Sequence, residues 1–132
     1  MFSFVKANAK PEFPVIKTLP TTASTEYKIG DALILSGGGL VKATGTTKPE
    51  YIAAANYSAP ATGMEPLPAY LIAPGMEWET TFAADATAVT EGTKVTIHTD
   101  GAQVTATATS GVAQILKKHG TGTAGTKVTV TF

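Results

Sequence analysis

One short strand cassette is used twice in the last third of the chain, and this repeat restricts the possible folds more than any other feature. Gly92-Thr93-Lys94-Val95-Thr96-Ile97 returns as Gly125-Thr126-Lys127-Val128-Thr129-Val130. Each copy follows a turn-forming glycine and then alternates apolar with polar residues, the period-two pattern of a strand with one buried face. Between the copies lie Asp100-Gly101, a strong hairpin-turn signal, and a further alternating run, Val104-Thr105-Ala106-Thr107-Ala108-Thr109. Antiparallel β-structure follows from this pattern, and no catalytic chemistry is written into it.

The remainder of the chain extends the same reading. Short apolar runs at 32–35, 40–44, 51–57, 70–73 and 76–82 are separated by Gly and Pro turns, and strands are predicted at each. Further strands are predicted at 94–99, 103–109, 112–117 and 127–132. Residues 58–68, with Pro60, Pro66 and Pro68, read as a loop, because proline removes a ladder donor. Pro74-Gly75 reads as the turn pairing 70–73 with 76–82. Only residues 83–89 have the composition for a helical turn. Val95, Ile97, Val104, Ala106, Ala108, Ile115, Val128, Val130 and Phe132 are the expected inward positions. Thr96, Thr105, Thr107, Thr129 and Thr131 are expected on the outer face, where β-branched residues suit a pleated surface.

Residues 1–25 read differently, as an extended N-terminal arm ahead of a β-barrel domain at 26–132. Pro11, Pro14 and Pro20 oppose regular central-strand pairing, and residues 21–25 form a small polar link. The arm is nonetheless apolar. Its large side chains could pack on their own barrel or dock on a neighbouring subunit. The second use is expected, with Phe2, Phe4, Phe13, Val15 and Ile16 as partner-binding anchors. Removing the arm is then expected to leave the stability of 26–132 nearly unchanged.

At 132 residues the chain is one domain's worth. Ten lysines balance ten acidic residues and there is no arginine, the usual bidentate reader of phosphate and guanine. Neither nucleic acid nor a membrane is expected as a partner. With no cysteine, there is no disulfide framework, thiol nucleophile or thiolate metal site. No apolar run approaches the ~18 residues of a membrane span, and the N-terminus lacks a signal-peptide apolar region, so synthesis and folding in a cytoplasm are expected.

Each candidate for chemistry has a plainer structural reading. Gly37-Gly38-Gly39 leads into the strand-like Leu40-Val41-Lys42-Ala43 and not into the helix N-terminus that a phosphate loop requires, so it reads as a hairpin turn. Glu77 and Glu79 sit two apart on one strand face, a spacing of ~7 Å compatible with an inverting carboxylate pair. They read more simply as the wet face of an amphipathic strand. His98 and Asp100 could supply two metal ligands but lack a third nearby, and His119 stands alone beside Lys117-Lys118. Ser110-Gly111 offers no nucleophile elbow. Trp78 with Tyr51, Tyr57 and Tyr70 could stack on a sugar, although Trp78 shares its strand face with Met76 and Phe82. No catalytic, metal or cofactor residue is assigned, and the chain is not expected to be an enzyme.

Residues 91–101, then Ser110-Gly111-Val112-Ala113, then 124–132 resemble the small capsid-associated proteins of tailed bacteriophages, the head-decoration (cementing) proteins and related head-fibre bases. Ile29-Gly30-Asp31-Ala32-Leu33, Leu40-Val41-Lys42-Ala43 and Tyr51-Ile52-Ala53-Ala54-Ala55 fit the same pattern, so the resemblance spans roughly residues 27–132. It implies a small all-β, antiparallel β-barrel or β-tulip-like domain that binds the major capsid protein on the capsid exterior, often as a trimer and often through an N-terminal arm. It carries no catalytic residues and no cofactor. The implied function is that of a structural virion protein that stabilises the head, made in the host cytoplasm. A carbohydrate-binding or fibre-type adhesion module is the alternative.

Overall fold

Along 76–81 every second side chain is buried: Met76, Trp78 and Thr80 face inward, while Glu77, Glu79 and Thr81 remain partly exposed. The same alternation organises the whole structure, a computed structural model that describes residues 1–7, 14–62 and 65–132. Among the described residues there are twelve strands and no helix. They are β1 (Ser3–Ala7), β2 (Ile16–Pro20), β3 (Glu26–Tyr27), β4 (Ala32–Ser36), β5 (Gly39–Lys42) and β6 (Tyr51–Ala53) in the first half. The second half adds β7 (Tyr57–Ser58), β8 (Pro66–Leu71), β9 (Met76–Thr81), β10 (Lys94–Val95), β11 (Ala113–Lys118) and β12 (Lys127–Thr131).

Two five-stranded sheets form, in the orders β1-β9-β12-β11-β10 and β2-β8-β6-β4-β5, with β3 and β7 as a separate pair. All strand pairs are antiparallel. The fold is therefore the small all-β domain expected, but neither sheet closes into a barrel. Each sheet ends in short edge strands, each carrying a lysine (Lys6, Lys94, Lys17 and Lys42), and the edges of the second sheet meet at a single bridge from Thr21 to Leu40. Charged side chains and short strands oppose further edge-to-edge pairing.

The two cassette copies occupy β10 and β12 and flank β11 on opposite sides. Trp78, Phe82, Val95, Ile97, Val104, Ile115, Val128 and Val130 fill the space between the large sheets with Ala32 and Ile52 from the second. Each large side chain buried there contributes about 1.5–3 kcal/mol. The second sheet is covered on its other face as well. Ala32, Ile34, Ile52 and Tyr70 point to the first sheet, while Leu33, Leu40, Ala53 and Leu67 join Tyr27 and Ala59 in a second core. The Tyr27 hydroxyl donates to Leu40 O at 2.6 Å and accepts from Thr22 N at 2.8 Å, which seats the 21–27 crossing on this sheet.

Several expectations need correction. Residues 1–25 do not form a separate arm, because β1 pairs with β9 and β2 with β8, so each is an edge strand of one sheet. The period-two alternation of the strand is what places Phe2 and Phe4 on the inner side, with Met1 and Val5 left exposed. Pro66 and Pro68 lie within β8, tolerated because β6 pairs only with Ala69, Tyr70 and Leu71, leaving the proline half of the strand partnered by β2 alone. The Pro74-Gly75 turn carries the chain from one sheet to the other, so β8 and β9 do not pair. No helical turn forms at 83–89. Residues 103–109 form no regular strand: after the Asp100-Gly101 turn they make isolated bridges from Val104 to Ile97 and Phe82, with backbone hydrogen bonds joining Thr105 and Thr107 to Thr96. Ala108 is exposed, whereas Thr96 and Thr129 are buried.

Candidate interaction surface

The sequence-derived anchors divide into two groups. Phe2 is buried at 2 % exposure, with its ring edge-to-face on Phe132 at 5.4 Å and its amide on Gly30 O at 2.9 Å. Phe4 is half-buried, its ring edge-to-face on Trp78 at 5.5 Å. Both belong to the chain's own core, which takes them out of the set of partner anchors. Val15 and Ile16, in contrast, are 56 % and 57 % exposed. Phe13 lies outside the described residues.

Sequence reasoning missed the residues that extend this exposed pair. Of the seven large hydrophobic side chains exposed among the described residues, five are Met1, Val5, Val15, Ile16 and Ile29. Met1 and Ile29 line a groove of about 320 Å³ with Phe2, Phe4, Pro14 and Tyr70. Ile16 is the cross-strand neighbour of Tyr70, and Val15 O accepts the Leu71 amide at 2.8 Å. Val5 sits at an irregularity in β1, between Phe4 and Lys6. Exposed apolar side chains thus lie on or beside both edge strands β1 and β2, and Met1 and Ile29 among them share one groove. The available signal was Ile29, an apolar residue standing in the otherwise polar turn Lys28-Ile29-Gly30-Asp31.

Several charges near these side chains are paired within the chain. Lys6 meets Glu77 at 3.7 Å, and the buried Asp31 meets Lys42 at 3.2 Å while accepting the Lys28 amide at 2.9 Å. The Met1 α-amino group donates to Ala102 O at 2.6 Å. Burial pushes that amine below its ordinary value, against the opposing pull of Asp100 and Asp31.

The remaining candidates have structural partners. Trp78 is fully buried and cannot present a face to a sugar, and Tyr51, Tyr57 and Tyr70 line three different clefts. Glu77 and Glu79 are ion-paired to lysines of neighbouring strands, Glu77 with its cross-strand partner Lys6 at 3.7 Å and Glu79 diagonally with Lys127 at 3.0 Å. His98 Nδ1 lies 3.3 Å from Asp100 Oδ1, and the His119 ring bonds Thr129 Oγ1 at 2.8 Å. Burial works to raise the Asp100 carboxyl, but N–H donation from Ala102 and Gln103 together with His98 outweighs it and holds the group below the usual range. Among the described residues no three His, Cys, Asp or Glu side chains gather as a metal-binding group. Gly37 and Gly38 turn the β4–β5 hairpin with φ of 62° and 87°, the left-handed values of a two-residue turn.

In comparison with known proteins, no family model, no curated protein and no solved structure matches this chain.

Proposed function

We propose that this protein is a structural virion component that docks on the outer surface of a phage head through its β1–β2 edge and stabilises the shell. One observation carries the docking edge: exposed Met1 and Ile29 line one groove with Pro14 and Tyr70, and the exposed Val15 and Ile16 follow Pro14 directly, Ile16 paired across the strands with Tyr70. The phage setting rests on the resemblance of the strand cassettes. Exposed apolar side chains contiguous over a groove mark interaction sites more often than scattered ones do. A major capsid protein is the proposed partner, with self-association, as a trimer for preference, on the shell. The balanced charge suits a packed assembly, since it sets up no long-range repulsion between copies. The burial of Trp78 removes the motive for a carbohydrate-binding reading.

The test is saturable binding of purified protein to undecorated, expanded heads. The double variant Val15→Ser/Ile16→Ser is expected to keep its melting temperature and lose binding. Failure of the parent protein to bind any expanded head of its own phage would sink the reading. Unchanged binding by the double variant would move the docking face elsewhere.

A further inference from the structure

We infer that the backbone carbonyls gathered around Lys118 form a monovalent-cation site, occupied in this chain by the protein's own ammonium group. Lys118 Nζ lies 2.8 Å from Val89 O, 3.3 Å from Thr87 O, and 3.4 Å from both Ala86 O and Thr121 O. Three of these oxygens come from the strandless 83–93 segment and one from the β11–β12 connection. The Ala86 oxygen also accepts the Val89 amide. Among the described residues no backbone N–H reaches the Thr87, Val89 or Thr121 oxygens, so the ammonium is the donor they share.

The chemistry of the donor set selects the ion. Neutral carbonyls that replace a hydration shell are the ligands used for potassium-like ions. Calcium prefers carboxylates at about 2.3–2.6 Å, shorter than any contact here. Neither nearby carboxylate bonds the ammonium directly: Asp85 Oδ1 accepts the Thr87 amide at 2.9 Å and feels the Lys118 charge only at longer range, and Glu91 Oε1 accepts the Lys118 amide at 3.1 Å. Close packing fixes the cage from behind: a Cβ at Gly122 would stand 2.8 Å from Ala86 O and 3.1 Å from Lys118 Nζ. The tethered ammonium therefore does for the 83–93 segment what a bound ion does in a metal-stabilised loop. It also sets the shape of the 320 Å³ hollow that Asp85, Val89, Thr93 and Ala106 line. This site is independent of the docking edge.

Two variants and one measurement on the parent protein test the inference. Lys118→Ala empties the cage, and its melting temperature is expected to fall in choline chloride and to recover in part in ammonium or potassium chloride of equal ionic strength. The parent is expected to show no such ion preference. Lys118→Met fills the space without charge and is expected to lose stability with no rescue. An unrescued Lys118→Ala, or equal ammonium effects in all three proteins, overturns the inference. Should Lys118→Ala fail to fold, nitrogen-detected NMR of the parent decides: a slowly exchanging Lys118 ammonium signal supports the cage, and its absence overturns it.

Discussion

Ile115 and Phe82 receive the same backbone grip from the two copies of the cassette. The Gly92 amide donates to Ile115 O at 2.7 Å, and the Ile115 amide returns a bond to Thr93 O at 2.9 Å. The Gly125 amide donates to Phe82 O at 2.8 Å, and the Phe82 amide returns one to Thr126 O at 3.1 Å. Each turn is also closed internally, Thr93 N to Thr90 O and Thr126 N to Thr123 O, at 3.2 and 3.0 Å. The repeated sequence is therefore a repeated device, a Thr-x-Gly-Thr turn that plugs into a fully buried residue of an adjacent segment.

Equivalence makes a quantitative prediction. Gly92 and Gly125 have φ of 90° and 83°, and an added Cβ meets nothing within 4 Å at either. Gly92→Ala and Gly125→Ala are each expected to cost only the left-handed backbone penalty, about 1–2 kcal/mol. Gly111→Ala is expected to cost more, since its Cβ would stand 2.2 Å from Lys94 O, in the backbone of β10. Urea denaturation of the three variants checks the order, and unequal costs for the first two would refute the equivalence.

Loss of the N-terminal segment is expected to destabilise the domain. Phe2 is buried between the sheets, and Phe2→Ala is expected to cost about 3–5 kcal/mol. Deleting residues 1–25 removes one edge strand from each sheet and is expected to lower the melting temperature sharply, the reverse of the outcome expected for a separate arm. Calorimetry of the truncated chain distinguishes the two.

Trp78 is 0 % exposed, and its Nε1 has no hydrogen-bond partner. Replacement by phenylalanine loses ring volume but also removes an unsatisfied buried donor, which carries a penalty of about 1–3 kcal/mol. Trp78→Phe is therefore expected to cost far less than Trp78→Ala, for which about 3–5 kcal/mol is expected. Near-equal losses in chemical denaturation would show that the indole nitrogen is satisfied in solution.

Acid sensitivity is expected at the Asp100 turn. Its folded pKa lies below the unfolded 3.8, so the unfolded chain binds the proton first as pH falls. The stabilisation is complete above the unfolded value and is lost as pH drops through the folded one. Asp100→Asn keeps an acceptor for the Ala102 and Gln103 amides but cannot titrate, so its urea midpoint is expected to change less than the parent's below about pH 4. A parallel decline in both proteins would assign the acid loss to other carboxyls.

The same sign applies to the Met1 amine, in a higher pH window. Its folded pKa is lowered, so just below 8.0 the unfolded chain holds more protons and stability is expected to rise with pH across that window. The pH dependence of α-amine acylation in the folded protein, shifted below that of a short peptide, is the direct check.

The β-pattern was legible because alternation at Met76-Glu77-Trp78-Glu79 and in the two cassettes is a local property that the sheets simply use. Sheet membership was not, since it depends on partners far along the chain. Nothing near Pro74-Gly75 tells a hairpin from a crossover between sheets. Nor does anything near Phe2 and Phe4 reveal that β9 awaits them more than seventy residues later. Val15 and Ile16, expected as partner-binding anchors, are exposed, whereas Ile29 and Met1 come beside each other only through the folding of the 28–31 turn against the N-terminus. The Lys118 cage was invisible for the same reason, being built from main-chain oxygens, which carry no residue signature.

The middle sheet has a core on each side, and that arrangement bears on how a chain of this kind can change over time. Along 32–34 and 51–53 successive side chains serve alternate cores, so no neutral position separates one constrained site from the next. Substitutions there are expected to be accepted mainly in compensating pairs across a core. Single changes can accumulate freely on the far face of the first sheet, along the exposed edge strand β2 and in the turns, so lineages of this fold would drift apart in surface chemistry while keeping a nearly fixed interior.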